Sequence, residues 1–434
     1  MSGKFRIFAV CFVMIEYRKY KLDNGLTVLT HEAWDTPLAT VNVLYNVGAR
    51  DEDPSRTGFA HLFEHLMFGG TERVPNFDAV VSGLGGDNNA FTNNDYTNYY
   101  TTVPAEGLQT ALMLEADRME SLALNAKALA VQQRVVTEEY NQRYMNRPYG
   151  DVWLMLRPLC YKVHPYRWAT IGADIRHVGE ATLADVQAFH ERYYRPDNAI
   201  LCVAAPMRSE EMMELVAGSW EQAAVCSQRS AGSEERCFAR ERVYAEEPEQ
   251  RSARRMEVER EVPSTALYLA WPMGSHFDPD FRACDLVSDV LGNGTSSRIY
   301  NDIVRPGRLV SEADAYISGD ADGGLMVLSA KLLSGVDVDE VADALRSEAR
   351  KLVEEGIERE ELVKVQNKYE STFVFSQYKA TDRAYSLCHY TWLGNTAMAN
   401  LDPEAYRKVT PEEFRTAAKN VFREERENLL IVRR

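Results

Sequence analysis

The stretch TLADVQAFHERYYRPDNAILCV, residues 182–203, places an amphipathic helical pattern directly before a short apolar strand. A second copy of this pattern, TPEEFRTAAKNVFREERENLLIV, occupies residues 410–432. The strand begins at Asn198 in the first copy and at Asn428 in the second, so helix and strand recur at nearly the same offset. The pairs Gly70-Thr71 and Gly294-Thr295 are separated by a similar offset. Self-similarity at one long offset is typical of a duplicated domain, so the sequence predicts two homologous domains.

Strand and helix patterns alternate along the chain. Residues 17–30 contain two strand-like segments around Asn24-Gly25, a dipeptide that favours the type I′ turn of a β-hairpin. Residues 41–47 alternate apolar with polar or small side chains, as a half-buried strand does, and helical patterns cover residues 106–122 and 127–145. The sequence therefore predicts an α+β fold in which each domain is a mainly antiparallel β-sheet packed with α-helices.

Chain length sets the number of domains. A chain of 434 residues is too long for one ordinary core, and its content of 45% hydrophobic and 26% charged residues is that of a folded globular protein. We place the first domain at residues 14–222 and the second at residues 251–434. Residues 223–250 are rich in Ser, Arg and Glu with few apolar side chains, and we predict that they form a linker.

Charge and cysteine content argue against several classes of protein. The formal net charge is −16, whereas binding to nucleic acid needs clustered Lys and Arg, so no nucleic-acid partner is expected. The seven cysteines are scattered, odd in number and free of C-x-x-C spacing. This pattern argues against a disulfide framework and against a zinc site built from cysteines.

The amino-terminal residues match a targeting segment only in part. Lys4 and Arg6 precede an apolar run at residues 7–15, but Glu16 follows where a small-residue cleavage site is expected. The run is too short to cross a bilayer, so no stable membrane span is predicted. Residues 1–13 are therefore either a signal peptide or an upstream extension. We expect a cytoplasmic protein, with a secreted or periplasmic location as the alternative.

The segment FAHLFEHLMF, residues 59–68, contains the polar residues that point most directly to chemistry. Its His61, Glu64 and His65 have H-x-x-E-H spacing, which puts all three side chains on one face of a helix. Two histidines so placed can bind one metal ion, with the carboxylate beside an open coordination position. Because the surrounding side chains are apolar, these polar groups would be costly to bury without partners. In a random chain of this composition the expected number of such pentads is roughly 0.02.

The duplication provides an internal control for this motif. At the corresponding positions the second copy has Asp285, Ser288 and Asp289. The repeated fold therefore does not require the histidines, which indicates that they serve a function.

One metal ligand is missing from the motif, because a catalytic zinc ion usually takes three protein ligands. Glu138 and Glu139, on a predicted helix further along the chain, are the candidates. Helical phase alone does not choose between them.

An H-x-x-E-H motif followed about 75 residues later by a glutamate-bearing helix resembles the pitrilysin-type zinc peptidases. This family includes insulysin and the mitochondrial processing peptidase. The resemblance covers nearly the whole chain and implies a LuxS/MPP-like metallohydrolase fold with one zinc ion per chain. It extends to five further segments, namely residues 22–28 (LDNGLTV), 89–92 (NAFT), 97–100 (TNYY), 146–150 (NRPYG) and 294–298 (GTSSR).

The resemblance also implies roles for residues in the first domain. Counted back from the NRPYG segment, the third zinc ligand is Glu139, which leaves Glu138 as a solvated or structural residue. Gln132, seven residues earlier, stands where members commonly have a second acidic residue, so a charge beside the ligand is lost. In the family the metal lowers the pKa of its water and polarises the scissile carbonyl. Glu64 would take the proton of that water and pass it to the leaving amine.

Substrate binding is implied at two further places. Asn89 and Ala90 would begin an edge strand, residues 89–92, that pairs with the substrate backbone. The sequence leaves a simple turn role for Asn89 open. Active members commonly contribute an Arg and a Tyr from the second domain. Arg305 matches that Arg, whereas Ser311 stands where the Tyr is expected.

Together these features predict a zinc-dependent endopeptidase that hydrolyses peptides or unfolded segments. Similar chains of this length pair with a second subunit to close a clam-like chamber, so a homodimer or a heterodimer with a related subunit is expected. One alternative is a non-catalytic or weakly active subunit of a two-chain peptidase, which the missing Tyr favours and the intact motif opposes. The other is a zinc hydrolase that acts on non-peptide substrates.

Overall fold

A computed structural model describes residues 14–220, 225–228, 236–242 and 244–434. The predicted targeting segment or extension, residues 1–13, lies outside the described residues. Two β-sheets, one in each half of the chain, form the framework on which the helices pack.

The first sheet is mainly antiparallel, as predicted. Its seven strands are β1 (Arg18–Leu22), β2 (Thr27–Glu32), β3 (Leu38–Tyr45), β4 (Asp87–Thr92), β5 (Thr97–Pro104), β6 (Ala199–Ala205) and β7 (Val225–Gln228). Their order across the sheet is β4-β5-β3-β6-β2-β1-β7, which leaves β4 at one edge. Neighbouring strands are antiparallel except for β2 and β6, which are parallel.

The β1–β2 hairpin forms as predicted, but its turn is not of type I′, because Gly25 has a positive φ and Asn24 does not. Gly25 has a φ of +90°, a conformation that favours glycine because it has no side chain. The Asn24 side chain accepts a hydrogen bond from the Leu26 N–H at 3.1 Å. A Cβ atom at Gly25 would lie 2.7 Å from the Cβ of Asp197, so close packing also requires glycine.

Most helices of the first half pack on or near this sheet, and one of them packs on the sheet of the second half. They are α1 (Phe59–Leu66), α2 (Phe77–Gly83), α3 (Leu108–Ser121), α4 (Ala126–Tyr140), α5 (Val152–Cys160), α6 (Ile175–Gly179), α7 (Leu183–Tyr193) and α8 (Ser209–Ser219). Helices α1, α2 and α3 lie against β3, β4 and β5, and their apolar side chains form a buried core with that face of the sheet. α4 extends beyond its α-helical part through a π-helical turn, Asn141–Met145.

The second half repeats the arrangement. Its strands are β8 (Arg254–Glu259), β9 (Ala266–Met273), β10 (Val310–Gly319), β11 (Gly324–Leu332) and β12 (Asn428–Arg433), in the order β10-β11-β9-β12-β8. Its helices are α9 (Phe281–Gly292), α10 (Val338–Glu355), α11 (Arg359–Ser376), α12 (Ala380–Trp392), α13 (Met398–Arg407) and α14 (Pro411–Val421). β12 is antiparallel to β9 and parallel to β8, just as β6 is antiparallel to β3 and parallel to β2.

The repeated helix–strand pattern of the sequence corresponds to repeated local structure. Thr182 caps α7 and Thr410 caps α14, each in a capping box with the acidic residue three positions later. Each helix then leads into the fourth strand of its sheet, β6 or β12, counted from the edge strand β4 or β10. The prediction of an α+β fold with two homologous halves is therefore confirmed.

Each half supplies a helix that covers the sheet of the other half. α12, from the second half, packs on β3 and β6 of the first sheet, where Leu387 and Trp392 are buried with Ile200. α5, from the first half, packs on β9 and β12 of the second sheet, where Leu156 is buried with Leu430. We call this arrangement the helix exchange.

The predicted linker, residues 223–250, is not without structure. It contains β7, which pairs with β1 at the edge of the first sheet. Pairing at a sheet edge uses backbone groups, so even a strand of four residues can add to it. The boundaries 14–222 and 251–434 remain predictions.

Candidate metal centre

The start of α1 is fixed by two features. Gly58 precedes the helix with a φ of +90°, and a Cβ atom there would lie 2.7 Å from the carbonyl oxygen of Ile171. The buried carboxylate of Glu52 accepts hydrogen bonds from the N–H groups of Gly58 and Ala60, both at 2.8 Å. These are donors that the first turn of a helix leaves unpaired. Burial raises the pKa of Glu52 to about 8.

His61 and His65 face one residue of α4, which packs beside α1. The Nε2 atom of His61 is 3.6 Å from Oε1 of Glu139, and Nε2 of His65 is 3.2 Å from Oε2 of Glu139. One ligand atom from each residue lies within 4.8 Å of the others. The structure therefore brings three of the predicted site residues into a single cluster.

The other predicted residues of α4 lie differently. Glu138 is exposed to solvent, whereas Glu139 is partly buried against the histidines. Gln132 is partly exposed, two helical turns before Glu139. Arg143, one turn after Glu139, forms an ion pair with its carboxylate at 2.7 Å. The sequence reasoning missed Arg143, although its i, i+4 spacing from Glu139 is a recognisable signal.

The electrostatics of the cluster fit a bound cation. Burial lowers the pKa of His61 to about 4, so its imidazole is neutral at pH 7. The hydrogen bond from His65 is the largest cause that lowers the pKa of Glu139, which is therefore ionised. Nε2 of the neutral His61 ring and the ionised Glu139 carboxylate then lie 3.6 Å apart, where both can bind one cation. Two imidazoles and one carboxylate are a donor set that zinc accepts with a fourth position open.

Glu64 lies beside this cluster on the same helix. Burial raises its pKa, and its Oε2 atom accepts a hydrogen bond from the Thr92 hydroxyl at 2.6 Å. Thr92 is the last residue of edge strand β4, so this contact joins the carboxylate to the strand predicted to bind substrate. The sequence contained Thr92 within the NAFT segment but offered no signal for this hydrogen bond.

Two family profiles match the chain in succession. The profile described as "Insulinase (Peptidase family M16)" matches residues 27–154, which include the three residues of the cluster and their neighbour Glu64. The profile described as "Peptidase M16 inactive domain" matches residues 180–369. The chain belongs to peptidase family M16. This result confirms the predicted resemblance to pitrilysin-type peptidases.

Relatives in the M16 family share most of the length of the chain. Zinc protease PqqE of Helicobacter pylori is 29% identical over 387 residues, covering 86% of this chain and 83% of its own. An uncharacterized zinc protease of Streptomyces coelicolor is 24% identical over 348 residues, covering 80% of this chain and 74% of its own. The names of these relatives associate the family with zinc.

Solved structures of M16 proteins share the fold. The crystal structure of a protease from Helicobacter pylori matches with a TM-score of 0.87 and 26% identity, covering 97% of this chain and 100% of that one. Pitrilysin matches with a TM-score of 0.76 and 17% identity. This match covers 96% of the present chain but only 45% of pitrilysin.

The second half of this M16 chain uses the equivalent positions for structure. Asp285, the counterpart of His61, accepts a hydrogen bond from the Tyr406 hydroxyl at 2.6 Å. Ser288, the counterpart of Glu64, donates to the Asp285 carbonyl at 2.8 Å. Within the described ranges, the only group of three potential metal ligands is the one formed by His61, His65 and Glu139.

The predicted substrate-binding residues of the first half lie on β4. Asn89 is exposed at the sheet edge, and its side-chain oxygen accepts a hydrogen bond from the Ala90 N–H at 2.8 Å. A substrate strand that uses this N–H must displace the Asn89 side chain. The role of both residues in substrate binding remains a prediction.

The predicted residues of the second half are exposed. Arg305 follows a π-helical turn, and Ser311 lies in β10. Neither forms a hydrogen bond or ion pair with the metal cluster among the described residues. Arg298, by contrast, forms an ion pair with Glu361 at 2.7 Å, which gives it a structural role.

No helix within the described part of this M16 chain is long and apolar enough to cross a membrane. The compartment in which the protein acts remains a prediction.

Proposed function

We propose that this chain is a zinc-dependent endopeptidase, with one zinc ion held by His61, His65 and Glu139 and with Glu64 as the general base. One observation carries the proposal, which is the convergence of both Nε2 atoms on the Glu139 carboxylate beside Glu64. Membership of the M16 family and the names of the zinc protease relatives support it.

The residues of the chain suit peptide hydrolysis. A zinc ion in this site supplies a Lewis acid that acidifies water and polarises a carbonyl group. Burial raises the pKa of Glu64, which suits a carboxylate that accepts a proton near neutral pH and then returns it to a leaving amine. Thr92 orients this carboxylate through its hydrogen bond. Partial burial of the site limits the access of bulk water.

The edge position of β4 supports extended peptides as substrates. A peptide strand can add to a sheet edge through backbone hydrogen bonds, which gives affinity with little dependence on side chains. Asn89 and Ala90 are the residues of β4 that we propose for this pairing. Arg305 would contact the substrate from the second half. Folded proteins present few extended segments, so unfolded segments and peptides are the proposed substrates.

A second candidate function is a subunit of a two-chain peptidase. The present chain matches 45% of pitrilysin, so two chains of this length are needed to equal that protein. Ser311, in place of the expected Tyr, also favours a partner that supplies the missing group. We propose that the chain works as a homodimer or as a heterodimer with a related subunit.

The decisive experiment combines metal analysis with peptide cleavage. Purified protein should hold about one zinc ion per chain and should cleave quenched unfolded peptides. Glu64→Gln should keep the zinc ion and lose turnover by several orders of magnitude, because it removes the base and leaves the ligands intact. Glu138→Gln, the exposed neighbour of a ligand, is the matched control and should retain activity.

Two outcomes would contradict this proposal. Normal cleavage by Glu64→Gln would show that Glu64 is not the base. Hydrolysis of small esters but of no peptide, in a parallel screen, would favour the non-peptide hydrolase.

A further inference from the structure

A groove of about 750 Å³ lies between the first sheet and the start of α12. Residues of β3, β4 and β5 form one wall, and residues 378–382 with Tyr385 form the other. Because α12 belongs to the helix exchange, both halves of the chain build this groove. We call it the interdomain groove.

The interdomain groove and the metal cluster lie on opposite faces of β4. Successive residues of a strand point to opposite faces of the sheet. Thr92 points to the face that carries α1, where it binds Glu64. Phe91 points to the other face, where its ring lies 5.5 Å from that of Tyr385. Asp87 shares the face of Phe91 and also lines the groove.

This alternation extends to any strand that pairs with β4. Neighbouring strands lie about 4.8 Å apart, and their side chains point to the two faces in step with those of the sheet. A bound peptide therefore directs every second side chain towards the mouth of the groove. The remaining side chains face α1 and the metal cluster.

The walls of the groove suit a cationic side chain. Asp87 and Asp382 line it, and neither forms an ion pair among the described residues. Asp35 also lines it but is paired with Arg383 at 2.7 Å. Of the described residues in the lining, Lys379 is the one cation, and it is exposed at the rim. Asp87, Asp382 and Lys379 together therefore give the lining a net charge of minus one.

Aromatic rings add to this complementarity. Tyr100 lies on the sheet wall of the groove, and Tyr378 lies on the opposite wall with 82% of its surface exposed. A Lys or Arg side chain gains from contact with the face of such rings as well as from carboxylates. Exposure of a ring to this extent leaves its face free for a ligand.

The second sheet has a groove at the position that corresponds to the interdomain groove of the first sheet, and the two can be compared residue by residue. Cys202 of β6 lies four residues after Asn198, and Val432 of β12 lies four residues after Asn428. The rows of paired residues through Cys202 and Val432 therefore correspond. These rows are Asn89–Tyr100–Asn42–Cys202 in the first sheet and Glu312–Lys331–Ala266–Val432 in the second.

In the second sheet the row includes a cation from the chain itself. Lys331 lies 2.5 Å from the Glu312 carboxylate on the edge strand and 5.1 Å from the centre of the Tyr149 ring. The groove beside it measures about 350 Å³, less than half the volume of the interdomain groove. The first sheet has Tyr100 in place of Lys331, so its larger groove lacks the internal lysine.

We propose that the interdomain groove is a subsite for a Lys or Arg side chain at alternate residues of a peptide paired with β4. This inference rests on the proposed peptidase function and adds a class of substrate to it, namely peptides with basic side chains at spacings from the cleaved bond that are all even or all odd.

The first arm of the test measures the spacing between a lysine and the cleaved bond. A set of unfolded peptides differs only in a single lysine, which is moved one residue at a time. Mass spectrometry of the products gives the number of residues between the lysine and each cleaved bond. Preferred spacings should be all even or all odd, because a strand has a period of two. Equal cleavage at both kinds of spacing overturns the subsite while leaving the peptidase function intact.

The second arm measures binding without turnover. Fluorescence anisotropy of the same peptides on the Glu64→Gln variant should show about fivefold tighter binding of a lysine peptide than of its alanine counterpart. Asp87→Lys should reverse the preference in favour of a glutamate peptide. Glu120→Lys, an equal charge change at an exposed position of α3, should leave the lysine preference in place. If Asp87→Lys and Glu120→Lys change the lysine preference equally, the subsite is overturned. The preference then depends only on the net charge of the chain and not on the groove.

The two arms separate the inference from the function on which it rests. If the wild-type chain cleaves no peptide but the lysine preference in binding depends on Asp87, the groove is supported and the peptidase proposal fails. If cleavage occurs and lysine has no effect on binding, only the subsite fails.

Discussion

Gln133 on α4 and Gln366 on α11 occupy the same place in the two halves of the molecule. Each side-chain amide nitrogen lies within 3.3 Å of three backbone carbonyl oxygens at the end of a neighbouring helix. The acceptors are Val178, Gly179 and Ala181 in the first half and Tyr406, Arg407 and Val409 in the second. All three pairs of acceptors share the sequence offset that relates Thr182 to Thr410. The scaffold is therefore repeated at the level of single hydrogen bonds.

The buried polar side chains on these helices differ between the two halves in the hydrogen-bond partners that they have. In the second half, Asp402 accepts hydrogen bonds from Arg282, Tyr369 and Tyr390, and Asp285 accepts one from Tyr406. In the first half, two imidazoles and a carboxylate face one another instead. Aligned on the two glutamines, Glu139 corresponds to Thr372. The helices therefore serve the fold in both halves, whereas the first half alone carries the side chains that we propose as metal ligands.

The strongest effect is expected for zinc binding, and in the first half alone. His61→Ala or His65→Ala should abolish zinc binding, and Glu139→Gln should weaken it by more than about a hundredfold because a direct ligand is lost. Asp285→Ala, at the position equivalent to His61, should leave zinc content unchanged. Metal analysis and competition with a chelator measure these effects.

Two results would contradict this difference between the halves. A loss of zinc in Asp285→Ala would mean that the second half takes part in the metal site. Weaker zinc binding in Glu138→Gln than in Glu139→Gln would move the third ligand by one position.

An intermediate effect is expected at Ser311. A donor aimed at a developing oxyanion is worth ~10²–10³ in rate, so the isolated chain should be a slow enzyme that a related subunit with both Arg and Tyr accelerates. Ser311→Tyr should raise the turnover of the isolated chain and leave its zinc content unchanged. Steady-state kinetics on a quenched peptide, with and without the partner, measure the gain.

The idea of a shared site fails if the isolated chain already cleaves as fast as every mixture and Ser311→Tyr gains nothing. The chain would then be self-sufficient, with another donor in the role of the Tyr.

A weaker effect concerns stability in the second half. Burial raises the pKa of Asp285 from its ordinary range near 4 to about 6. The folded state then binds more protons than the unfolded state between these values, so this group stabilises the fold at low pH and its contribution is lost as the pH rises from about 4 to 6. Asp285→Asn should remove this slope, which amounts to roughly 2–3 kcal/mol at most.

Urea unfolding at a series of pH values measures the slope. Glu340→Gln, an equal acid-to-amide change at an exposed position of α10, is the matched control and should keep the wild-type dependence. An unchanged slope in Asp285→Asn would show that another group causes it.

Local patterns in the sequence were sufficient for much of the fold. The Asn24-Gly25 hairpin, the mainly antiparallel sheets and the duplication all depend on short-range periodicity or on repetition of it. The strand β7 was missed because its four residues, VCSQ, are too few to show a period. The helix exchange was missed because no local pattern tells which of two similar sheets an amphipathic helix covers.

The candidate site shows the same division between local and distant information. His61, Glu64 and His65 could be found because one helical turn sets their spacing. Glu139 could not be separated from Glu138 by helical phase, since that choice depends on how α4 packs against α1. Glu52 and Thr92 contact the motif helix only after folding, and nothing in their own neighbourhoods marks them.

The helix exchange bears on the history of the chain. Either half by itself leaves one face of its sheet bare, because α5 and α12 each cover the strands of the opposite half. A one-domain ancestor with this helix would have needed a second copy to cover its sheet, as in a domain-swapped dimer. Gene fusion would then have joined two subunits that already depended on each other. In such a fused chain both sheets stay covered whichever polar residues stand at the positions of His61 and Asp285, because α5 and α12 do not carry them.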